Sequence, residues 1–592
     1  MPSGALIQQQ QKVEDSKKQY KRHISEVDLE LEPQSSSSVA SLPPTDAAST
    51  DVAAATDVSV AAIIKKHPKT KRRKYKQKAV ESTSPLGVLI LEIQELLKEK
   101  NLTEDQITNP VNLLLNEEIP MEIYHRVVDN VEILKFTSNG DGLAIIDNPE
   151  DPIQKKQIAI VPFGIPGDVV SIKVFKSHPL YVESDLIKIT QSSKFRNDDL
   201  IRCKYFGICS GCQFQTIDYE QQLFFKKQTI ENAYKNFAPE LNQSFLLPEI
   251  DETISSPLQY GYRTKLTPHF DMPKHKPEFF QRPNLGFGAK GRPQWRVMDG
   301  IKTGGIIDIE ECVIGTTIIN KGMANERGKF MKEFNKYKKG ATILLRENTK
   351  LKKESIEDKE EEEEGSRDPE TAQVSKIEEI DEEHGDVKIK TCVTNTRQIV
   401  REIVCGFKFE FSAGEFFQNN NSILPKIVSY VQQNLKLDNT EENYLIDAYC
   451  GSGLFSITSS KAVKKVIGVE ISADSVKFAE HNAKLNGVEN CEFIVGKAEK
   501  IFADIKLPND KTSIILDPPR KGCDEVFLKQ LAAFNPTKII YISCNVHSQA
   551  RDLEFFIKKT DTGKNYKIES IRGFDFFPQT HHVESVAVLS LI

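Results

Sequence analysis

From about residue 411 to the end of the chain, apolar runs of strand length alternate with helical stretches. That alternation argues for a mostly parallel α/β sheet, because parallel neighbours need crossovers long enough to hold a helix. Y-L-I-D-A-Y-C-G-S-G-L-F-S-I (444–457) reads as a strand, a glycine turn and the start of a helix, and V-I-G-V-E (466–470) as the next strand. Gly451 and Gly453 let the backbone pass close to a ligand, and Glu470, 23 residues after Asp447, ends the second strand where a carboxylate can meet ribose hydroxyls. The turn is not the six-residue G-x-G-x-x-G of dinucleotide sites, which favours adenosylmethionine over a nicotinamide cofactor. A G-S-G turn alone is often a mere tight connection; the acid on the second strand gives it weight.

Two further strands end in reactive groups. T-S-I-I-L-D-P-P-R-K-G (512–522) delivers Asp517 to its carboxyl end, and K-I-I-Y-I-S-C-N (538–545) delivers Cys544 to the same edge. F-D-F-F-P-Q-T-H-H-V-E-S-V-A-V-L (574–589) puts Glu584 at the start of a strand, which meets that edge if the strand runs antiparallel. A cysteine at a strand end is usually a small buried apolar residue. Its position beside D-P-P-R and H-x-E points instead to chemistry. Carbon 5 of a pyrimidine is too poor a nucleophile to take a methyl group from a sulfonium, so a thiolate must first add at C6, and a base must later remove the C5 proton. Cys544 and Glu584 supply that pair. A thiol is mostly protonated at neutral pH, so Cys544 is expected in an electropositive setting, with Arg520 and strand-end amides as its neighbours.

These residues resemble the RNA 5-methyluridine methyltransferases, in which D-P-P-R-x-G, S-C-N and F-P-x-T-x-H-x-E occur together; the likeness covers about 120–592 apart from an acidic insertion. The resemblance implies Cys544 as nucleophile, Glu584 as proton-abstracting base, and Gln418, Tyr449, Glu470 and Asp517 as contacts to S-adenosyl-L-methionine. It also implies that Phe416 stacks on a flipped uracil, although two adjacent phenylalanines are more often core. Relatives often carry Asn where this chain has Leu454, which removes one polar cofactor contact. The implied reaction is methylation of uracil C5 at position 54 in the T loop of tRNA. The same reaction on ribosomal RNA, and a tRNA-binding folding helper whose catalysis is dispensable, are the alternatives.

The rest of the 592 residues form several further units. Residues 1–85 are rich in Gln, Ser, Ala and Thr and are expected to be a disordered arm; its basic run K-K-H-P-K-T-K-R-R-K-Y-K-Q-K (65–78) reads as a nuclear address, an RNA tether or plain solvated charge. Residues 86–119 have helical spacing, and 120–190 read as short strands broken by glycine turns, an OB-like β-barrel. By resemblance that barrel is of the RNA-binding type called TRAM. Residues 191–410 form a mixed α+β domain carrying a disordered acidic insertion at 348–388; residues 354–386 hold 16 acids against three bases. Without residues 354–386 the formal charge of −6 becomes +7, compatible with a polyanion partner without requiring one. The fold expected is thus multidomain α/β, ending in a Rossmann-like class I methyltransferase domain at 411–592.

Ten cysteines are too few for a disulfide scaffold. C-K-Y-F-G-I-C-S-G-C (203–212) and Cys312 offer four soft ligands, and the spacing leaves zinc, an iron–sulfur cluster and scattered buried cysteines open. The resemblance implies a [4Fe–4S] cluster on Cys203, Cys209, Cys212 and Cys312, because family members that hold one use this spacing. No run is long and apolar enough for a membrane helix, and the first residues lack a secretory pattern. The expectation is a soluble intracellular monomer in nucleus, cytoplasm or mitochondrion, with tRNA as partner and no membrane.

Overall fold

The structure, a computed structural model, describes residues 79–273, 281–291, 305–352, 376–380, 385–435, 442–497, 502 and 505–592. The expected arm up to residue 78, its basic run included, and residues 353–375 and 381–384 of the acidic tract lie outside them.

The first described helix, Pro85–Glu99, starts where Ser84 Oγ accepts from the Gly87 amide at 3.2 Å and Pro85 presets the first turn. Val88, Leu89, Ile93, Leu96 and Leu97 fall on one buried face. That face packs on Leu143, Ile158 and Ile160 of a six-stranded sheet. The sheet runs in the order Val127–Glu132, Val169–Ser177, Val182–Gln191, Lys156–Val161, Gly142–Asp147, Lys135–Phe136. Its period-2 alternation sends Val131, Ala144, Ile146, Val161 and Ile172 into a separate core. A buried Arg196–Asp168 pair at 2.7 Å ties this barrel to the chain that follows.

In the central region Leu345–Leu351 and Lys376–Ile380 both pair antiparallel with Val387–Val393. The expected insertion at 348–388 is therefore not loop throughout: its two ends are sheet. Lysines offset the acids there, with Lys390 between Glu347 (3.0 Å) and Glu379 (2.7 Å) and Lys352 on Glu378 (3.0 Å).

The last domain is built on an eight-stranded sheet in the order Cys491–Val495, Lys465–Glu470, Tyr444–Ala448, Thr512–Leu516, Lys538–Ser543, Glu584–Leu591, Tyr566–Phe574, Ile250–Ile254. The first five strands are parallel, and Glu584–Leu591 runs antiparallel to both of its neighbours. Apolar clusters cover both faces, as a parallel sheet requires. The edge strand Ile250–Ile254 is lent by the central region.

The helix Tyr219–Phe237 carries Lys226 into the interior, where its Nζ meets Asp575 Oδ1 at 2.5 Å; both side chains are fully buried. Tyr219 donates to Asp575 Oδ2 at 2.9 Å, and Lys226 also donates to the Phe577 carbonyl at 3.1 Å. This pair pins the segment that leads into Glu584. Removing one partner strands a buried charge, so Lys226→Met is expected to lose about 3–5 kcal/mol of stability. A thermal midpoint equal to wild type would contradict that.

Candidate active site

Antiparallel register sets the centre of the site. Ser543 pairs with Ser585, so the next residue on one strand, Cys544, and the preceding one on the other, Glu584, flank each other at the carboxyl edge. Asp517 follows Thr512–Leu516, Tyr449 follows Tyr444–Ala448, and Glu470 closes Lys465–Glu470 along the same edge. Gln418 arrives from the segment between the hairpin strand Phe407–Ser412 and the helix Leu424–Leu435. One cleft of about 690 Å³ is lined by all six, together with Arg520. The adjacent phenylalanines divide: Phe417 is core, stacked on Phe411 with centroids 4.5 Å apart, whereas Phe416 is 76% exposed at the cleft.

The glycine turn is built for a close approach. Tyr449 has φ +119°, Gly451 +55° and Gly453 +92°. The Tyr449 conformation costs about 1–3 kcal/mol for a residue with a side chain. It is held because the Tyr449 and Cys450 amides both donate to the Val469 carbonyl, at 2.9 and 3.0 Å. A Cβ on Gly453 would sit 3.0 Å from Ile457 Cδ1, while one on Gly451 would meet nothing within 4 Å. Glu470 is fixed by the Gly451 amide (3.3 Å) and the Ser472 amide (2.9 Å). Behind the turn, buried Asp447 accepts from Ser456 Oγ at 2.6 Å and keeps Oδ1 without a partner. Burial pushes the Asp447 carboxyl up to about 6, and Glu470 adds to the rise. An adenosyl group fits here: open space over Gly451, a fixed carboxylate at the second strand and apolar walls from Leu454 and Phe455. Leu454 is buried in the wall, and buried Cys450 belongs to the core.

The electrostatics depart from expectation. Cys544 is not in a simply electropositive setting: burial pushes its thiol up to about 12, Glu584 and Asp517 push the same way, and Arg520 pulls it down. Burial likewise raises Glu584 to about 8, with Asp517 adding and Arg520 opposing, and it raises Asp517 to about 7. The sequence names these neighbours but not the dry strand-end packing that dominates. His581 and His582 are driven down to about 4 and about 3, first by burial, so both rings are neutral at pH 7. Because Arg520 lowers both Cys544 and Glu584, Arg520→Met is expected to raise the thiol further and slow its reaction with an alkylating agent by about tenfold for each pKa unit gained. Alkylation of Cys544 at fixed pH, followed by peptide mass spectrometry, reads this; an unchanged rate would contradict it.

The four cysteines also converge. Each of Cys203, Cys209 and Cys212 is held above the ordinary thiol range chiefly by burial and then by the others or Cys312. Yet among the described residues no three His, Cys, Asp or Glu side chains form a group that could hold a metal ion.

Sequence reasoning missed Lys226, Asp575 and the lent strand at 250–254. The one available signal was Lys226 at i+4 from Gln222 and i−4 from Ile230, on a face otherwise turned inward.

A doubly wound sheet with one antiparallel strand, Glu584–Leu591, a nucleoside turn and a thiol facing a carboxyl at its carboxyl edge defines a Rossmann-like adenosylmethionine-dependent methyltransferase. The family model of tRNA (uracil-5-)-methyltransferases matches residues 387–591, and the TRAM domain model matches 123–187. The tRNA (uracil(54)-C(5))-methyltransferase of Saccharomyces cerevisiae is 61% identical over 88% of this chain and 84% of its own length. That of Schizosaccharomyces pombe is 40% identical over 93% and 91%. The chain belongs to the tRNA (uracil-5-)-methyltransferase family. It shares its fold with the crystal structure of Pyrococcus abyssi tRNA (uracil-54, C5)-methyltransferase in complex with S-adenosyl-L-homocysteine, at TM-score 0.51 and 24% identity over 78% of this chain and all of that one.

Proposed function

We propose that this protein methylates C5 of the uracil at position 54 of tRNA by a covalent route through Cys544 and Glu584. The observation that carries the reading is their juxtaposition on antiparallel neighbours, in the same cleft as the Gly451 turn and Glu470. Bound at that turn, adenosylmethionine supplies an electrophilic methyl group on a positively charged sulfur. Glu470 would take the ribose hydroxyls, with Gln418, Tyr449 and Asp517 completing the contacts. Two charge-assisted hydrogen bonds are lost in Glu470→Ala, which is expected to weaken adenosylmethionine binding by about ten- to a hundredfold in calorimetry. An unchanged Kd would remove Glu470 from the site.

The target base must leave its stack to reach Cys544. The thiol gives up its proton to solvent and its sulfur bonds to C6, moving the C5–C6 π pair onto C5 and the O4 carbonyl. Carbon 5 would then take the methyl group as the methyl–sulfur bond breaks, the bonding pair staying on the sulfur and discharging it. The Glu584 carboxylate removes the C5 proton, that electron pair restores the double bond, and the C6–S bond breaks to release the thiolate. Phe416, exposed at the mouth, offers a face on which the flipped base can stack. The barrel at 127–191 is the RNA-binding module of this reading.

For Cys203, Cys209, Cys212 and Cys312, the support for a [4Fe–4S] cluster is their convergence and a spacing that the family resemblance ties to such a cluster. Against it stands the lack of a tight ligand group among the described residues. Iron and acid-labile sulfide in equal amounts after anaerobic purification would establish the cluster, and neither would dismiss it.

Nucleoside mass spectrometry on tRNA and rRNA from cells lacking the protein tests the function. Loss of 5-methyluridine from tRNA, restored by wild type and not by Cys544→Ala, is the expected result. Loss from rRNA alone would move the substrate, and loss from neither would favour an RNA-binding role.

A further inference from the structure

Asn545, the residue after Cys544, is the end of a hydrogen-bond chain that starts in another part of the molecule. Its Nδ2 donates to the carbonyls of Arg520 (2.8 Å) and Thr83 (3.2 Å). Carbonyls only accept, so the amide orientation is fixed and Oδ1 is the atom facing His547. His547 Nδ1 lies 3.2 Å from Oδ1 and must therefore carry a proton. Burial holds His547 down at about 4, so the ring is neutral and its Nε2 is bare. That nitrogen lies 3.2 Å from Ser138 Oγ, in the turn between two barrel strands, and accepts the single hydroxyl proton. Ser138 Oγ is also 2.5 Å from Glu92 Oε1 on the N-terminal helix. The same Oε1 accepts from the Ser138 amide at 2.7 Å, and with the Ser138 hydroxyl proton committed to His547 the short contact between Oε1 and Oγ needs a proton on Glu92. Two facts agree. Glu92 Oε2 is buried without a partner, which a neutral acid tolerates better than a carboxylate. Burial also lifts Glu92 to about 7, against the Ser138 hydrogen bonds and Lys135 and with Glu95.

We propose that Glu92, Ser138, His547 and Asn545 form a directional donor chain that fixes the loop carrying Cys544, making Glu92 and Ser138 positioning residues although they lie in the N-terminal helix and the barrel. The chain rests on the role proposed above for Cys544. It gives the helix and barrel a task besides holding RNA: the thiol is in register only when both are docked. The same barrel turn presses on the other side of the site, where a Cβ on Gly140 would come within 2.6 Å of His581 Cβ, and Lys290 holds the turn through Asp141 at 2.7 Å. Asn545 also caps the helix Val546–Lys559, so a shift in His547 is passed to the strand end and not absorbed by a free loop.

The test is the single-turnover rate at which an RNA bearing 5-fluorouridine at the target becomes covalently attached to the protein, since fluorine at C5 leaves no proton to remove. Ser138→Ala and His547→Ala are each expected to slow attachment about tenfold, with the Kd for adenosylmethionine unchanged. The double variant should be no slower than the slower single one, because both break one chain; independent packing defects would multiply to about a hundredfold. Glu92→Ala, which removes the partner of both the Ser138 amide and the Ser138 hydroxyl, should slow attachment with the others. Multiplying defects or alanine variants at the wild-type rate would each overturn the chain. No attachment with wild-type protein would overturn the reading of Cys544, and the positioning role with it.

Discussion

Cys544→Ala is expected to lose methyl transfer by a factor on the order of 10⁴ or more while adenosylmethionine binding changes by less than about threefold. The asymmetry follows from where the residue sits. Cys544 lies on the fifth strand of the sheet order, next to Glu584, whereas the nucleoside turn and Glu470 belong to the third and second strands. Removing a small half-buried thiol leaves the Tyr449 and Cys450 amides on Val469 and the Gly451 and Ser472 amides on Glu470. In the covalent route C5 is activated only by addition of that sulfur at C6. Residual turnover within about tenfold of wild type would end the covalent account.

Glu584→Gln should give the opposite phenotype: attack and methyl transfer proceed, elimination stalls, and a protein–RNA adduct accumulates that survives denaturation. The substitution is unusually clean. Burial raises Glu584 to about 8, so at pH 7 about nine-tenths of it is the neutral acid, and the amide that replaces it has the same size and charge. The thiol therefore sees almost the same surroundings in the variant. What the amide cannot do is take a proton. The same raised carboxyl sets the direction of the pH profile. A base acts in its deprotonated form, so turnover limited by elimination should climb about tenfold per pH unit below 8 and level off above it. Normal turnover by Glu584→Gln with no adduct, or a profile falling between pH 6 and 8, would remove Glu584 as the base.

Most of the candidate site was legible because its residues stand at strand ends. A parallel strand followed by D-P-P-R, S-C-N or a glycine turn puts Asp517, Cys544 and Tyr449 on one edge whatever the side-chain packing, and one antiparallel strand adds Glu584. What stayed hidden depends on partners remote in sequence. The lent strand Ile250–Ile254 and the Lys226–Asp575 pair join segments more than 300 residues apart, and no local period records such a pairing. The thiol's surroundings were misjudged for a related reason: sequence shows that Arg520 is near, but the rise in Cys544 comes first from burial, which is a property of the assembled sheet. At 376–380 an acidic composition suggested loop, yet Lys390 on the paired strand and Lys352 just past Leu345–Leu351 offset its acids and let the segment pair.

The covalent route requires that Cys544 bond to the target base. The most direct measurement is mass spectrometry of protease-digested protein after reaction with adenosylmethionine and a T-arm RNA carrying 5-fluorouridine at position 54. The account predicts a methylated nucleotide attached to the peptide containing Cys544, and none with Cys544→Ala. Attachment at another residue, or full turnover on ordinary RNA with no attachment to the fluorinated one, would contradict it.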